Sequence, residues 1–314
     1  MRLGGGGSGG PGSGLPDPGP GFSWSVAPAG AAGDLTPLTV LRIPFLEETG
    51  LVWAGFSSRL GGESREPWAS LNLGFFVGDD LPAVAANRRR LFNGAGLDAG
   101  RAVGALQVHG SHVTRIGTAE AGRGALDPNS LVPDTDGLIT DAPGLTLTIG
   151  CADCLALYFV DPVHRAVGLS HAGWRGTASD IAARTLDAMG ESFGTVPSEV
   201  RAAVSPGIGG CCYEVDDAVW RAFQPEETPL LAGAFRPAPT REGQPHWMLD
   251  LGRANRIRLE EAGVPSANIV VSPLCTACHP GVFFSHRRDQ GRTGRMLAFL
   301  SILENGCGMG GLRP

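Results

Sequence analysis

From about Val40 onward, short apolar runs alternate with longer segments of helical period, and glycine or proline falls between them. The runs "LVWAGFSS", "LTLTIG", "LALYFV", "AVGLSHA", "VRAAVSP" and "NIVVSP" are rich in β-branched and aromatic residues, and each is expected to be a strand. Three stretches carry the helical period instead: "LPAVAANRRRLFNGAG", "TASDIAARTLDAMGESFG" and "LGRANRIRLEEAG". In the second, Ile181, Leu186, Met189 and Phe193 fall near one face and Gly194 suits the C-cap. The pattern of "RMLAFLSIL" fits strand or helix equally. Several strands follow one another without an intervening helix, so the pattern predicts an α/β chain with a mixed, partly antiparallel sheet.

Composition changes the picture at the N-terminus. Between Gly4 and Gly21 every residue except Leu15 and Asp17 is glycine, proline or serine, which cannot bury enough apolar surface to offset chain entropy. Residues 1–35 are therefore expected to form a disordered tail, and residues 36–314 a single catalytic domain. Its "GGGGSGG" has no strand before it and no helix after it, so it is not a nucleotide loop.

Charge narrows the partners. The formal net charge is -6, without the basic excess that nucleic acid or an anionic membrane demands, so a small-molecule partner is expected. All 25 basic residues are arginine. Without lysine, a phosphate-loop lysine, a Schiff base and a lysine general base are excluded, and an anion must be held by guanidinium groups or backbone N–H groups. Seven cysteines in a chain of this size, with no charged-then-apolar leader, read as reduced thiols in a cytoplasmic protein. No apolar run approaches the roughly 18–20 residues of a membrane helix.

The cysteines include two CxxC pairs, Cys151/Cys154 and Cys275/Cys278. They lie too far apart along the chain for a zinc ribbon, which keeps its pairs about 15–20 residues apart. A thioredoxin-like redox pair would open a helix, whereas "LALYFV" after Cys154 reads as strand. A better constellation joins Cys154, before one strand, to His171, ending the next, and His109 of "LQVHGSHV". Taken singly, each is as readily a buried thiol or a satisfied histidine. Together at strand ends they form a metal triad with an open fourth position, where a zinc ion would acidify a water. A closed site would need a fourth ligand, for which Cys151 and His112 are both available. Cys211, Cys212, Cys275 and Cys278 are expected to pack near Gly-rich turns, Cys307 to be inert, and His164, His246 and His279 to lie in loops. Arg59, Arg175, Arg287, Arg288, Arg292 and Arg295 stand beside glycines, where a ligand can approach. Asn72 and Asp153 are polar groups in apolar surroundings that need partners.

The motifs "SSRLGGES", "SLNLGFFVGDD", "NRRRL", "QVHG", "DTDGLIT", "ADCLALYF", "HAGWRG", "SPGIGGCCYEV" and "SHRRDQGRTGRM" occur here in the order of the YfiH-like, laccase-domain family, which the chain resembles from about residue 54 to 300. The resemblance implies a layered α/β/β/α sandwich and a metal triad on His109, Cys154 and His171. Members have been called polyphenol oxidases, peptidoglycan-editing factors and zinc-dependent purine nucleoside phosphorylases with adenosine deaminase side activity. Cys151 departs from the threonine the family usually places before "ADC".

The resulting expectation is a zinc-dependent purine nucleoside phosphorylase that takes a purine nucleoside and phosphate and works as a monomer or homodimer. Arg59 and Arg175 would orient the phosphate, Asn72 and Arg288 would bind substrate, and Asp153 would shuttle protons. Deamination lacks the H-x-E signature of other zinc deaminases. Three rivals remain: a peptidoglycan-precursor hydrolase with Cys154 as nucleophile and His171 as base, a copper-dependent phenol oxidase, and a noncatalytic module folded around a closed zinc site.

Overall fold

The computed structural model describes residues 14–26, 36–224 and 226–304. One six-stranded sheet runs in the order β1 (Ser23–Val26), β2 (Thr39–Arg42), β3 (Val52–Ser57), β15 (Met296–Ile302), β7 (Thr146–Cys151) and β4 (Ala102–Gly104). A second runs β14 (Ile269–Val271), β10 (Arg201–Val204), β8 (Leu155–Asp161), β9 (Ala166–Ala172), β6 (Gly137–Thr140) and β5 (Val113–Arg115). A small third sheet is β11 (Glu214–Asp216), β13 (Gln244–Leu249) and β12 (Phe235–Arg241). The pairs β4–β7, β10–β14 and β5–β6 are parallel and the others antiparallel, so both large sheets are mixed.

Side-chain alternation stacks these sheets. In β8, Ala156, Tyr158 and Val160 enter a core shared with the first sheet, while Leu155, Leu157 and Phe159 pack toward the helices Ile181–Phe193 and Leu251–Glu261. In β15, Met296, Ala298, Leu300 and Ile302 join the shared core. Leu297 and Phe299 face the opposite way, onto Leu91 and Phe92 of the helix Leu81–Gly94. The layers are helix, sheet, sheet, helix, as the resemblance implied. The same layering resolves "RMLAFLSIL": the segment is a central strand between β3 and β7, buried on both faces, so no polar alternation marks it. Tyr158 spans the shared core, and its hydroxyl donates to the Gly55 carbonyl at 2.8 Å.

Two expectations are corrected. The disordered tail does not extend unbroken over residues 1–35, because β1 pairs along β2, Phe22 is buried, and Trp24 Nε1 donates to the Pro16 carbonyl at 2.7 Å. The Gly/Pro-rich composition concealed one short strand. Residues 1–13 and 27–35, and Cys307, lie outside the described residues. His246 lies in β13 rather than in a loop, paired across from Asp216. Among the described residues, no helix is long and apolar enough to cross a membrane.

Connectivity positions the site. β7 belongs to the first sheet and β8 to the second, so the turn Ala152–Cys154 carries the chain from one to the other. The segment between β4 and β5 makes the same passage. The two crossings touch, since the Gln107 side chain exchanges hydrogen bonds with the backbone N–H and carbonyl of Gly150, each at 2.9 Å.

Candidate metal centre

One crossing delivers His109, the other delivers Cys154, and β9 presents His171 directly across from Ala156. Ligand atoms of the three lie within 4.8 Å of one another, and the two imidazole rings meet edge to face with centroids 5.0 Å apart. An ion with Zn–N of about 2.0 Å and Zn–S of about 2.3 Å needs its ligand atoms about 3.3–3.5 Å apart, so side-chain shifts of about an ångström close the set. Gly173 makes room for it. A Cβ there would stand 2.9 Å from Cys154 Sγ and 3.6 Å from His109 Cδ2, which is why a glycine follows Ala172 in "HAGWRG".

The residue that organises the triad is Asp136, which sequence reasoning passed over. It is fully buried at the start of β6, where the β6–β9 register brings it beside His171. One carboxylate oxygen meets His171 Nδ1 at 2.9 Å. The same carboxylate accepts the backbone N–H groups of Val108, His109 and Gly110 at 3.2, 3.0 and 2.7 Å. It therefore folds the His109 turn, with His109 itself at φ 61°, and leaves the far nitrogen of His171 for the ligand position. The available signal was its place in "DTDGLIT", an acid immediately before an apolar strand.

Burial by itself would push the Cys154 thiol up, but His171 and His109 facing it bring it down to about 6. Burial also works against the His171 cation, and Cys154 and Asp136 outweigh it, raising His171 to about 9. Without a metal the site thus holds a thiolate–imidazolium pair, and capture of a cation must expel the His171 proton. Asp136→Asn keeps the shape and removes the charge behind His171. It is expected to lower metal affinity about 10–100-fold, measured by titration against a competing chelator, with circular dichroism unchanged.

Neither candidate for a fourth ligand joins the triad among the described residues. Cys151 ends β7 inside the shared core, where burial pushes its thiol well up. His112 is exposed, and its carbonyl accepts the N–H groups of Asp136 and Gly137. His164 pairs with Asp161, Nδ1 to Oδ2 at 2.8 Å, away from the triad. The fourth position opens into a cavity of about 540 Å³, lined beside the triad by Phe75, Trp174 and Tyr213 and by Arg175, Arg287 and Arg295. A volume of that order suits a small organic ligand.

The structure brings some expected residues to this cavity and leaves others out. Arg175, in the first turn of the short helix Trp174–Ala178, is exposed, stacks over Trp174 at 4.3 Å and enters no ion pair among the described residues. Asp153 reaches the wall with its backbone at φ 83°, but both carboxylate oxygens are taken, by Thr276 Oγ1 at 2.6 Å and the Arg287 N–H at 2.7 Å. That arrangement anchors the wall rather than carrying protons. Arg59 does not line the cavity: its guanidinium donates to the carbonyls of Ala69 and Pro280 and stacks on Phe284. Arg288 is spent on Asp289 and on the carbonyls of Thr276 and Phe283. Asn72, fully buried, accepts the N–H groups of Gly74 and Arg295 and donates to Asp79, so it positions Arg295 from behind. Irregular backbone must have its polar groups satisfied, and these side chains serve that need. The four thiols expected as separate packing residues, Cys211, Cys212, Cys275 and Cys278, instead converge on one another.

Comparison with known proteins agrees with this architecture. A family model described as multi-copper polyphenol oxidoreductase laccase matches residues 53–303. The chain is 46% identical over 252 residues to the purine nucleoside phosphorylase YlmD of Geobacillus stearothermophilus, covering 80% of this chain and 90% of that one. It is 38% identical over 253 residues to the protein of the same name in Bacillus subtilis, covering 81% and 89%. Among solved structures, YlmD from Geobacillus stearothermophilus superposes with a TM-score of 0.78 at 42% identity, over 89% of this chain and all of that one. A Bacillus licheniformis hypothetical protein, YfiH, gives 0.79 at 39% identity, over 84% and 96%.

Proposed function

The chain belongs to the multi-copper polyphenol oxidoreductase laccase family, and on that premise we propose that it is a zinc-dependent purine nucleoside phosphorylase, cleaving adenosine, inosine or guanosine with phosphate to the purine base and ribose 1-phosphate, or methylthioadenosine to adenine and methylthioribose 1-phosphate. The observation that carries this reading is the pairing of a His/His/Cys set with the guanidinium groups of Arg175, Arg287 and Arg295 in one cavity. The donor set suits zinc: one thiolate and two imidazoles satisfy a borderline-soft ion and leave it net positive charge. When bound, zinc supplies Lewis acidity at the cavity floor.

The rest of the work falls to the chain. Phosphorolysis joins a phosphate oxygen to C1′ as the bond from C1′ to the purine nitrogen breaks, so the anion must be held in line beneath the sugar. With lysine absent from the sequence, Arg175 is the first cavity cation able to hold it. Arg287 and Arg295 each give one nitrogen to backbone carbonyls, of Glu214 and of Thr293 and Gly294, and keep further N–H groups for it, whereas Arg88 is fully engaged. Phe75, Trp174 and Tyr213 offer aromatic faces for a purine ring. Arg175→Ala is expected to raise the KM for phosphate by on the order of 10-fold, the weight of one charge-assisted contact, with a smaller change in the KM for nucleoside. Initial rates at varied phosphate measure this.

Release of free purine should require phosphate, stop after dialysis against chelator and return with zinc. A reaction indifferent to phosphate would overturn the reading. Deamination of adenosine is the weaker activity here, because among the described residues no glutamate lines the cavity to move the proton.

One observation favours a second reading. Cys154, His171 and Asp136 stand in the order of a thiol nucleophile, its base and the carboxylate that orients the base, as a peptidoglycan-precursor hydrolase would use them. His109 has no part in such a triad, although it faces the same thiolate. Chelation separates the two, since a thiol hydrolase survives it. Copper-dependent phenol oxidation would need more clustered histidines than the single His/His/Cys group among the described residues, and a coloured protein would be its sign.

A further inference from the structure

Two turns outside the cavity present four cysteines to one point. Cys211 and Cys212 follow Gly209 and Gly210 in the loop after β10, and Cys275 and Cys278 lie in the loop after β14. Because β10 and β14 are parallel neighbours, their C-terminal loops emerge side by side. Gly207 bridges Cys275 there, and the Thr276 N–H donates to the Gly207 carbonyl at 2.9 Å. The four sulfur atoms all lie within 4.8 Å of one another, with Cys278 Sγ 3.5 Å from that of Cys211 and 3.4 Å from that of Cys212.

We propose that Cys211, Cys212, Cys275 and Cys278 hold a second metal ion, a closed tetrathiolate zinc site that is structural rather than catalytic. Tetrahedral zinc with Zn–S of about 2.3 Å sets its sulfurs about 3.8 Å apart, a spacing bracketed by the distances here. The thiols are unpaired as disulfides, and their contacts are far longer than the roughly 2.05 Å of an S–S bond. Backbone donors already point at the cluster. The Gly209 N–H meets Cys275 Sγ at 3.2 Å, and the N–H groups of Ala277 and Cys278 address the same sulfur from within the CxxC turn. These are the donors a metal-bound thiolate needs. Gly209 is shaped for the purpose: a Cβ would stand 3.3 Å from Cys211 Sγ and 3.6 Å from Cys275 Sγ.

The ion would fasten two loops that the cavity uses. Tyr213 follows Cys212 directly, and Arg287 stacks over Tyr213 at 4.9 Å. Thr276, between the other two cysteines, donates to Asp153 beside the triad. The clamp therefore stands behind the cavity wall without reaching into it.

The test does not depend on the proposed activity. Purified wild-type protein is expected to carry two zinc ions per chain by elemental analysis. Cys154→Ala is expected to keep one, whose X-ray absorption spectrum shows sulfur neighbours alone at about 2.3 Å. The double variant Cys211→Ser/Cys278→Ser is expected to keep the other, in a nitrogen-rich environment, and to unfold at lower temperature. Should that variant fail to fold, Cys154→Ala still decides the matter. A metal-free Cys154→Ala protein, a disulfide among the four thiols under non-reducing mass analysis, or nitrogen in the shell of the retained ion would each overturn the proposal.

Discussion

Cys154→Ala is expected to empty the proposed His109–Cys154–His171 centre and to lower kcat/KM for the proposed phosphorolysis by on the order of 10³-fold, the rate equivalent of about 4 kcal/mol of lost charge stabilisation. The thiolate is the only anionic ligand of the three, so its loss leaves two imidazoles that must hold a dication by themselves. The side chain removed is small and partly exposed, and it frees space beside Gly173, so the fold should survive. Steady-state kinetics with zinc analysis on the same preparation checks the prediction. Turnover and first-centre occupancy at wild-type levels would remove Cys154 from the ligand set. Cys154→Ser sharpens it: a hydroxyl replaces the thiol almost isosterically, so a comparable loss would come from ligand chemistry rather than from packing.

Arg88→Met should cost about 4 kcal/mol of stability and lower the unfolding midpoint by about 10 °C. Arg88 lies on the helix Leu81–Gly94, is 3% exposed, and has no carboxylate partner among the described residues. Burial pulls its pKa down to about 9, so it remains charged at neutral pH. Its guanidinium donates to the carbonyls of Leu73, Gly124 and Ala125 and lies over the rings of Phe75 and Phe92 at 4.5 and 5.8 Å. Methionine fills part of the volume and leaves three buried carbonyls without donors. An uncompensated buried cation is itself costly, which sets a lower bound on what those three bonds return. Thermal unfolding followed by circular dichroism measures the shift. A change below about 1 kcal/mol would mean that water reaches the carbonyls. Since Leu73 and Phe75 line the cavity, the variant should also bind nucleoside more weakly.

Much of this was legible in the residue pattern because strand period and ligand chemistry are local properties. "LALYFV" and "AVGLSHA" became β8 and β9, and Cys154 and His171 sat at their ends. What the sequence hid was set by contacts between distant segments. Asp136 looks like any acid until the β6–β9 register places it beside His171 and the His109 turn closes over it. The CxxC spacing correctly kept Cys275 and Cys278 apart from Cys151 and Cys154, but it could not show that Cys211 and Cys212 come to them from the loop of a neighbouring parallel strand. Arg59 and Arg288 were judged by their glycine neighbours, but the carbonyls of Ala69, Pro280, Thr276 and Phe283, in irregular backbone brought close by the fold, claimed the guanidinium groups first.

Two of the passages of chain between the sheets, those carrying His109 and Cys154, have a bearing on assembly. Each contributes a ligand and β9 the third, so a nascent chain or folding intermediate binds the ion at this centre only once both turns have closed against β9, with Asp136 holding the His109 turn. Metal loading thereby reports closure of the two turns onto β9, and a holo-protein breathing open there would surrender its ion before it lost its helices.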